Sequence, residues 1–151
     1  VNTDDSNPMQ SLAQAFAKIV EISGYIATVN DGNDVAFRVQ GTQYILETKD
    51  DDTNYVRYLL GYRMGDDISY ERALAVANDV NIRLKAVKTT VYSGKLASDG
   101  APFVRFAVEA FLDEPGHQSA MFERTLSVLS SAAEKFFAEA RESSDEKNSD
   151  V

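Results

Sequence analysis

The chain contains a single histidine, His117, and acid–base chemistry would have to start there. A working base needs a nucleophile in front of it and a carboxylate behind it to fix the ring. Glu114 and Ser119 are its sequence neighbours, but their spacing matches no arrangement of nucleophile, base and orienting acid. His117 therefore reads as an exposed residue in the first turn of a helix. The run Asp50, Asp51, Asp52 gathers the carboxylates that a hard cation such as Ca²⁺ or Mg²⁺ prefers. A calcium loop also needs ligands at alternate positions, a glycine at the sixth and a glutamate at the twelfth, and no such series begins at Asp50. In the segment Asn30, Asp31, Gly32, Asn33, Asp34 the glycine comes too early for the same template. Both read as solvated hairpin turns. Ser93, Gly94 and Lys95 have the ending of a phosphate-binding loop, without its upstream glycine or its following hydroxyl residue. They also sit between two strands, whereas a phosphate loop must run into a helix N-terminus. Ser127, Ser130 and Ser131 fall inside a long helical pattern, with no nucleophile elbow around them. No catalytic residue, metal-ligand set or cofactor site is expected.

One polar pair has a purpose that spacing alone explains. Asn78 and Asn81 are three residues apart near the end of a helical stretch, so both amides fall on one helical face. Asparagine competes for nearby backbone groups, which makes it a poor helix former and a good tie between a helix end and whatever follows. The pair is expected to be structural, bridging the helix to the strand beyond it. Recognition of a partner backbone or a small ligand is the other reading.

The elements that must position these residues follow from hydrophobic periodicity. Met9, Leu12, Ala13, Phe16, Ile19 and Val20 predict a helix over 9–23, with Gly24 where a helix stop belongs. Strands are predicted at 25–29, 35–40, 43–48 and 55–62, separated by the turns around Gly32, Gly41 and Asp51. Ser69 is placed to cap a middle helix whose apolar stripe is Tyr70, Ala73, Leu74, Ala77, Val80 and Leu84. Alternation at Val87, Thr89 and Val91 and again at Val104, Phe106, Val108, Ala110 and Leu112 gives two more strands. Asp113, Glu114 and Pro115 open a long last helix with the stripe Phe122, Leu126, Leu129, Ala133, Phe136 and Ala140. The expected order is α-β-β-β-(β)-α-β-β-α. That is an α+β two-layer sandwich with a largely antiparallel sheet of five to six strands and three helices. One domain over 9–140 is expected, with flexible termini at 1–8 and 141–151.

Composition removes several function classes. The 151 residues are 44% hydrophobic and 26% charged, the range of one globular domain. A formal charge of −9 disfavours nucleic-acid binding through phosphate neutralisation and docking on anionic lipid. Cysteine is absent, which excludes disulfides and thiolate sites. No apolar run is long enough to cross a bilayer. The chain opens with Val1 rather than methionine, so an upstream segment removed by a signal peptidase or by truncation is expected. The cytoplasm is the favoured compartment, and export stays open.

The sequence resembles the YbjN-type family of bacterial proteins, often labelled sensory transduction regulators. The resemblance covers most of the chain. It rests on Gly24 and Tyr25 closing the first helix and on Val35, Ala36, Phe37, Arg38 and Val39 turning through Gly41 into Thr42, Gln43 and Tyr44. It rests also on Ala77, Asn78, Asp79, Val80 and Asn81 leading into Lys85, Ala86, Val87, Lys88 and Thr89, and on the closing helix rich in Phe and Leu. Asp50, Asp51 and Asp52 and the acidic tail depart from it. The resemblance implies a fold similar to type III secretion chaperones, which often dimerise and bind other proteins. It implies no catalytic residues.

Strand alternation then locates a candidate interaction surface. If Val104, Phe106 and Val108 face the helices, Phe103, Arg105, Glu109 and Phe111 face away from them, with Tyr92 beside them. Aromatics next to Arg and Glu have the composition of an interface. A non-catalytic protein-binding module, chaperone-like or regulatory and acting as a homodimer with a protein partner, is the expected function. A small-ligand or metal-sensing domain is the alternative.

Overall fold

The computed structural model describes residues 11–49, 51–96, 100–112 and 118–142. In chain order the elements are α1 (Leu12–Ile22), β1 (Thr28–Val29), β2 (Val35–Val39), β3 (Thr42–Lys49) and β4 (Asp52–Arg63). They continue with α2 (Tyr70–Arg83), β5 (Lys88–Tyr92), a 3₁₀ turn at Gly94–Leu96, β6 (Phe103–Phe111) and α3 (Gln118–Glu142). The strands form one six-stranded antiparallel sheet in the order β1-β2-β3-β4-β6-β5. The α+β class and the element order are those expected, with the optional fourth strand present as β4.

Local chemistry sets the boundaries. Ser11 caps α1 in a reciprocal capping box with Gln14, so the helix starts at Leu12; Met9 lies outside the described residues. Gly24, at φ 91°, turns the chain out of α1 into a conformation that side chains rarely take. Gln40 and Gly41 both have positive φ, and Val39 pairs directly with Thr42 across them, a two-residue turn that matches the twist of the strands. At the β1–β2 turn the Asn30 Oδ1 accepts from the backbone N–H groups of Gly32 and Asp34, and its Nδ2 donates to the Asp34 carboxylate. Those side chains are consumed in shaping the turn. Ser69 caps α2 by accepting from the Arg72 N–H.

Helices α1 and α3 lie on one face of the sheet. Phe16 and Val20 of α1 and Phe122, Leu129 and Phe136 of α3 are fully buried against Val35, Leu46, Val56, Leu60, Val104 and Phe106. The stripe read for α3 is buried along its whole length. The α2 stripe needs one correction: Val76 is buried and Leu74 is exposed. This helix packs on both β5 and α3, so the small residues Ala73, Val76, Ala77 and Val80 face inward together. A second correction concerns the expected flexible tail, because α3 continues through Arg141 and Glu142. Arg141 pairs with Asp67 at 3.0 Å and lies over the Phe137 ring, which holds the last turn of the helix. Residues 1–8 and 143–151 lie outside the described residues.

One group in this core is ill matched to its surroundings. The Tyr58 ring packs against Phe16 and Phe122, and its buried hydroxyl has no hydrogen-bond partner among the described residues. Burial pushes its pKa up to about 12. An unpartnered buried hydroxyl costs on the order of 1 kcal/mol, so Tyr58→Phe should stabilise the fold by about that much in urea unfolding at neutral pH. The titration gives the same substitution a second signature. The unfolded tyrosine ionises near 10 and the folded one near 12, so stability present below pH 10 is lost as the pH climbs between those values. The Phe variant should lack this alkaline loss. An unchanged unfolding midpoint at both neutral and alkaline pH would show that the hydroxyl has a partner in solution.

Candidate interaction surface

Alternation along β4 and β6 sends every second side chain away from the helices. The register pairs Arg63 with Phe103, Gly61 with Arg105, Leu59 with Ala107, Arg57 with Glu109 and Tyr55 with Phe111. On β5, Tyr92 pairs with Phe103, Thr90 with Arg105 and Lys88 with Ala107. On β3, Ile45 pairs with Leu59 and Glu47 with Arg57, and on β2 Ala36 pairs with Ile45. Among the described residues no helix covers this face.

The residues singled out from sequence occupy two ends of it. Tyr92, Phe103 and Arg105 come together at one end: the two rings stack with centroids 4.4 Å apart and planes 6° apart. The Arg105 guanidinium lies over both rings, 5.0 Å from the Tyr92 centroid and 5.9 Å from that of Phe103. A cation held over two ring faces is attracted by their quadrupoles and keeps the aromatics in place. Glu109 and Phe111 stand at the other end. Phe111 is 82% exposed, with the Tyr55 ring 5.8 Å away. Arg57 bridges Glu109 at 3.4 Å and Glu47 at 3.3 Å, and its Nε–H donates to the Tyr55 hydroxyl. These contacts, the Tyr55 hydrogen bond foremost, hold the Arg57 pKa above its ordinary value. Glu109 thus partners Arg57, and Arg105 is four positions away along the same strand.

Between the ends runs an apolar row across four strands, made of Ala36, Ile45, Leu59 and Ala107. Leu59 and Ala107 are buried although no described helix lies above them. Tyr55, Arg57 and Leu59 escaped the sequence reading. The signal was there in the alternation along 55–62, but a strand apolar on both faces does not say which one meets the helices.

Asn81 and Asn78 part company. The Asn81 Nδ2–H donates to the Thr89 carbonyl at 3.0 Å, and the Thr89 N–H donates to Asn81 Oδ1 at 2.7 Å. Asn78 is exposed, and among the described residues its side chain makes no hydrogen bond. The bridge expected of both therefore runs through Asn81 alone, since one turn of helix carries Asn78 away from β5.

On the helix side a groove of about 720 Å³ opens between α3 and the ends of β2–β4, lined among others by Tyr25, Tyr44, Tyr62, Glu123, Ser130 and Glu134. Burial, and after it the neighbouring Tyr62, raises the Tyr44 pKa, against a hydrogen bond with Ser130 that lowers it. Asp50 and His117 lie outside the described residues. Among the described residues no group of His, Cys, Asp and Glu is arranged to hold a metal ion, and no helix is long and apolar enough to cross a membrane.

No protein-family model and no curated protein matches the sequence. Solved structures do. YbjN of E. coli, described as a candidate transcription regulator, superposes with a TM-score of 0.55 over 92% of this chain and 97% of its own, at 11% identity. An uncharacterized protein from Methanothermobacter thermautotrophicus does so with a TM-score of 0.51 over 83% of this chain and 99% of its own, at 10% identity. The fold is therefore YbjN-like. Neither description assigns an activity.

Proposed function

We propose that this chain is a non-catalytic protein-binding module, regulatory or chaperone-like, that works as a homodimer through the open face of its sheet. The observation that carries the reading is the face that no described helix covers, with Phe111 82% exposed at one end and the Tyr92–Phe103 stack at the other. An exposed phenylalanine and a half-buried aromatic stack set among fixed charges have the composition of an interface, and a lone domain gains nothing from leaving Phe111 in water. The solved structures of the same fold agree at the level of architecture, one of them a candidate regulator.

Light scattering behind size exclusion should give the mass of a dimer at micromolar concentration. Phe103→Asp and Phe111→Asp each bury a charge where an aromatic anchor sat, so each should weaken the dimer by about 30-fold, the loss of a typical interface hot spot. A monomer at all accessible concentrations, or a dimer indifferent to both substitutions, would overturn the reading. A second reading, small-ligand sensing, is favoured by the three tyrosines and two glutamates lining the helix-side groove. That groove lies across the sheet from Phe103 and Phe111, so the two readings are separable by which substitutions matter.

A further inference from the structure

The charges and voids on the open face are arranged so that the face complements a copy of itself. We infer that two chains pack sheet to sheet about a two-fold axis lying in the interface plane, across the strands, at the level of Leu59 and Ala107. This rests on the reading above and specifies its geometry. A face-to-face pair with such an axis exchanges the two ends of every strand while keeping each strand over its own copy. The central row, Ala36, Ile45, Leu59 and Ala107, then meets itself and supplies the apolar middle. Lys88, which continues the row on the edge strand β5, is exposed and meets its own copy at the solvent rim.

The rows on either side of the axis are different, and the difference is complementary. Arg105 lies two residues before Ala107 on β6, and Glu109 two residues after it. The operation carries Arg105 of one copy onto Glu109 of the other, and the reverse, giving two equivalent ion pairs. On β4, Gly61 and Arg57 flank Leu59 in the same way. Arg57, the bulky residue tied down by Glu47 and Glu109, is carried onto Gly61, where there is no side chain to meet it. Gly61 has no positive φ, and an added Cβ would come no closer than 3.7 Å to any atom of its own chain. Its own fold therefore leaves room for a side chain there, and an arriving arginine uses that room. Further out, the Phe103 level meets the Phe111 level, and Arg63 meets Tyr55. A two-fold normal to the sheet would join edges and leave the face uncovered. One parallel to the strands would set Arg57 over Glu109 but carry Arg105 onto Gly61, so that Arg105 and Glu109 would not meet.

The size also fits. Five strands about 4.8 Å apart and nine paired residues rising about 3.4 Å each give a patch of roughly 20 by 30 Å. That is near the ~800 Å² per partner of a standard interface, once side-chain relief is counted.

The test uses the reciprocity of the ion pair. Arg105→Glu sets its new carboxylate against Glu109 twice in its own dimer, and Glu109→Arg sets its new guanidinium against Arg105 twice. Each variant alone should dissociate at least tenfold more readily than the parent in light scattering. Mixed one to one, a chain carrying Arg105→Glu meets a chain carrying Glu109→Arg, and both contacts are again opposite in sign. The dimer mass should return. Recovery on mixing also shows that both variants are folded. If the parent protein is a dimer but the variants stay dimeric, or become monomers that do not recombine, this packing is wrong and the dimer reading stands. If the parent protein is monomeric, both are wrong.

Discussion

Replacing Phe122 with alanine should cost about 4 kcal/mol, the range for emptying a fully buried aromatic site. Phe122 is 0% exposed, and its ring lies 5.4 Å from Phe37, 6.3 Å from Tyr25 and 6.4 Å from Tyr58. Through it the start of α3 is joined to the segment after α1, to β2 and to β4 at once. Alanine would leave a void walled by rings and by the sheet backbone, neither of which can collapse into it. For a domain of this length the loss should lower the melting temperature by roughly 8–16 °C. Phe122→Leu refills most of the volume and should recover more than half of that. Denaturant unfolding followed by circular dichroism measures both, and a loss under about 2 kcal/mol would mean that the α3 terminus repacks. The open face of the sheet contributes nothing to this site. The Phe122→Ala chain, wherever it remains folded, should therefore dimerise as the parent does.

Phe122 was legible in the sequence because its stripe repeats at three and four all the way to Ala140, and a long amphipathic helix admits few rotations about its axis. The strands were legible for the same reason at period two, reinforced by the turn chemistry of Asn30, Gly32 and Gly41. Where the pattern was short or ambiguous, tertiary packing decided. Leu74 and Val76 both continue an apolar stripe on α2, and it is the simultaneous contact with β5 and α3 that buries Val76 and leaves Leu74 in water. The candidate surface was half legible. Alternation fixed which residues of β6 share a face, so Phe103, Arg105, Glu109 and Phe111 could be placed together without a structure. Their partners on β4 could not, because pairing register depends on the whole sheet order, in which β6 inserts beside β4 and displaces β5 to the edge.

That edge gives Asn81 its importance, and Asn81→Ala should destabilise the fold by about 2–3 kcal/mol. Strand β5 is the outermost of the sheet, so alternate residues point their backbone N–H and C=O outward with no strand to receive them. At Thr89 the Asn81 amide takes both, donating at 3.0 Å and accepting at 2.7 Å, which reproduces the pair of bonds that one residue of a neighbouring strand would make. Thr89 is 4% exposed, so truncating the amide leaves a buried donor and a buried acceptor with little water to replace it. Asn78→Ala, at an exposed position, should change stability by less than about 0.5 kcal/mol, which separates the bridge from helix propensity. Asn81→Asp separates its two halves. The carboxylate still accepts from the Thr89 N–H but faces the Thr89 carbonyl without a proton to give it, so near neutral pH the variant should be nearly as unstable as alanine. As the pH falls through the ordinary carboxylate range, near about 4, the acid regains a donor and the gap to the parent should narrow. A gap that stays constant with pH would mean that the Thr89 carbonyl does not need the donor. Removing the amide also frees the Thr89 backbone to act as a template for a foreign strand. The alanine variant should therefore scatter light increasingly with concentration near its melting temperature, through edge pairing that leaves the Arg105–Glu109 face uninvolved.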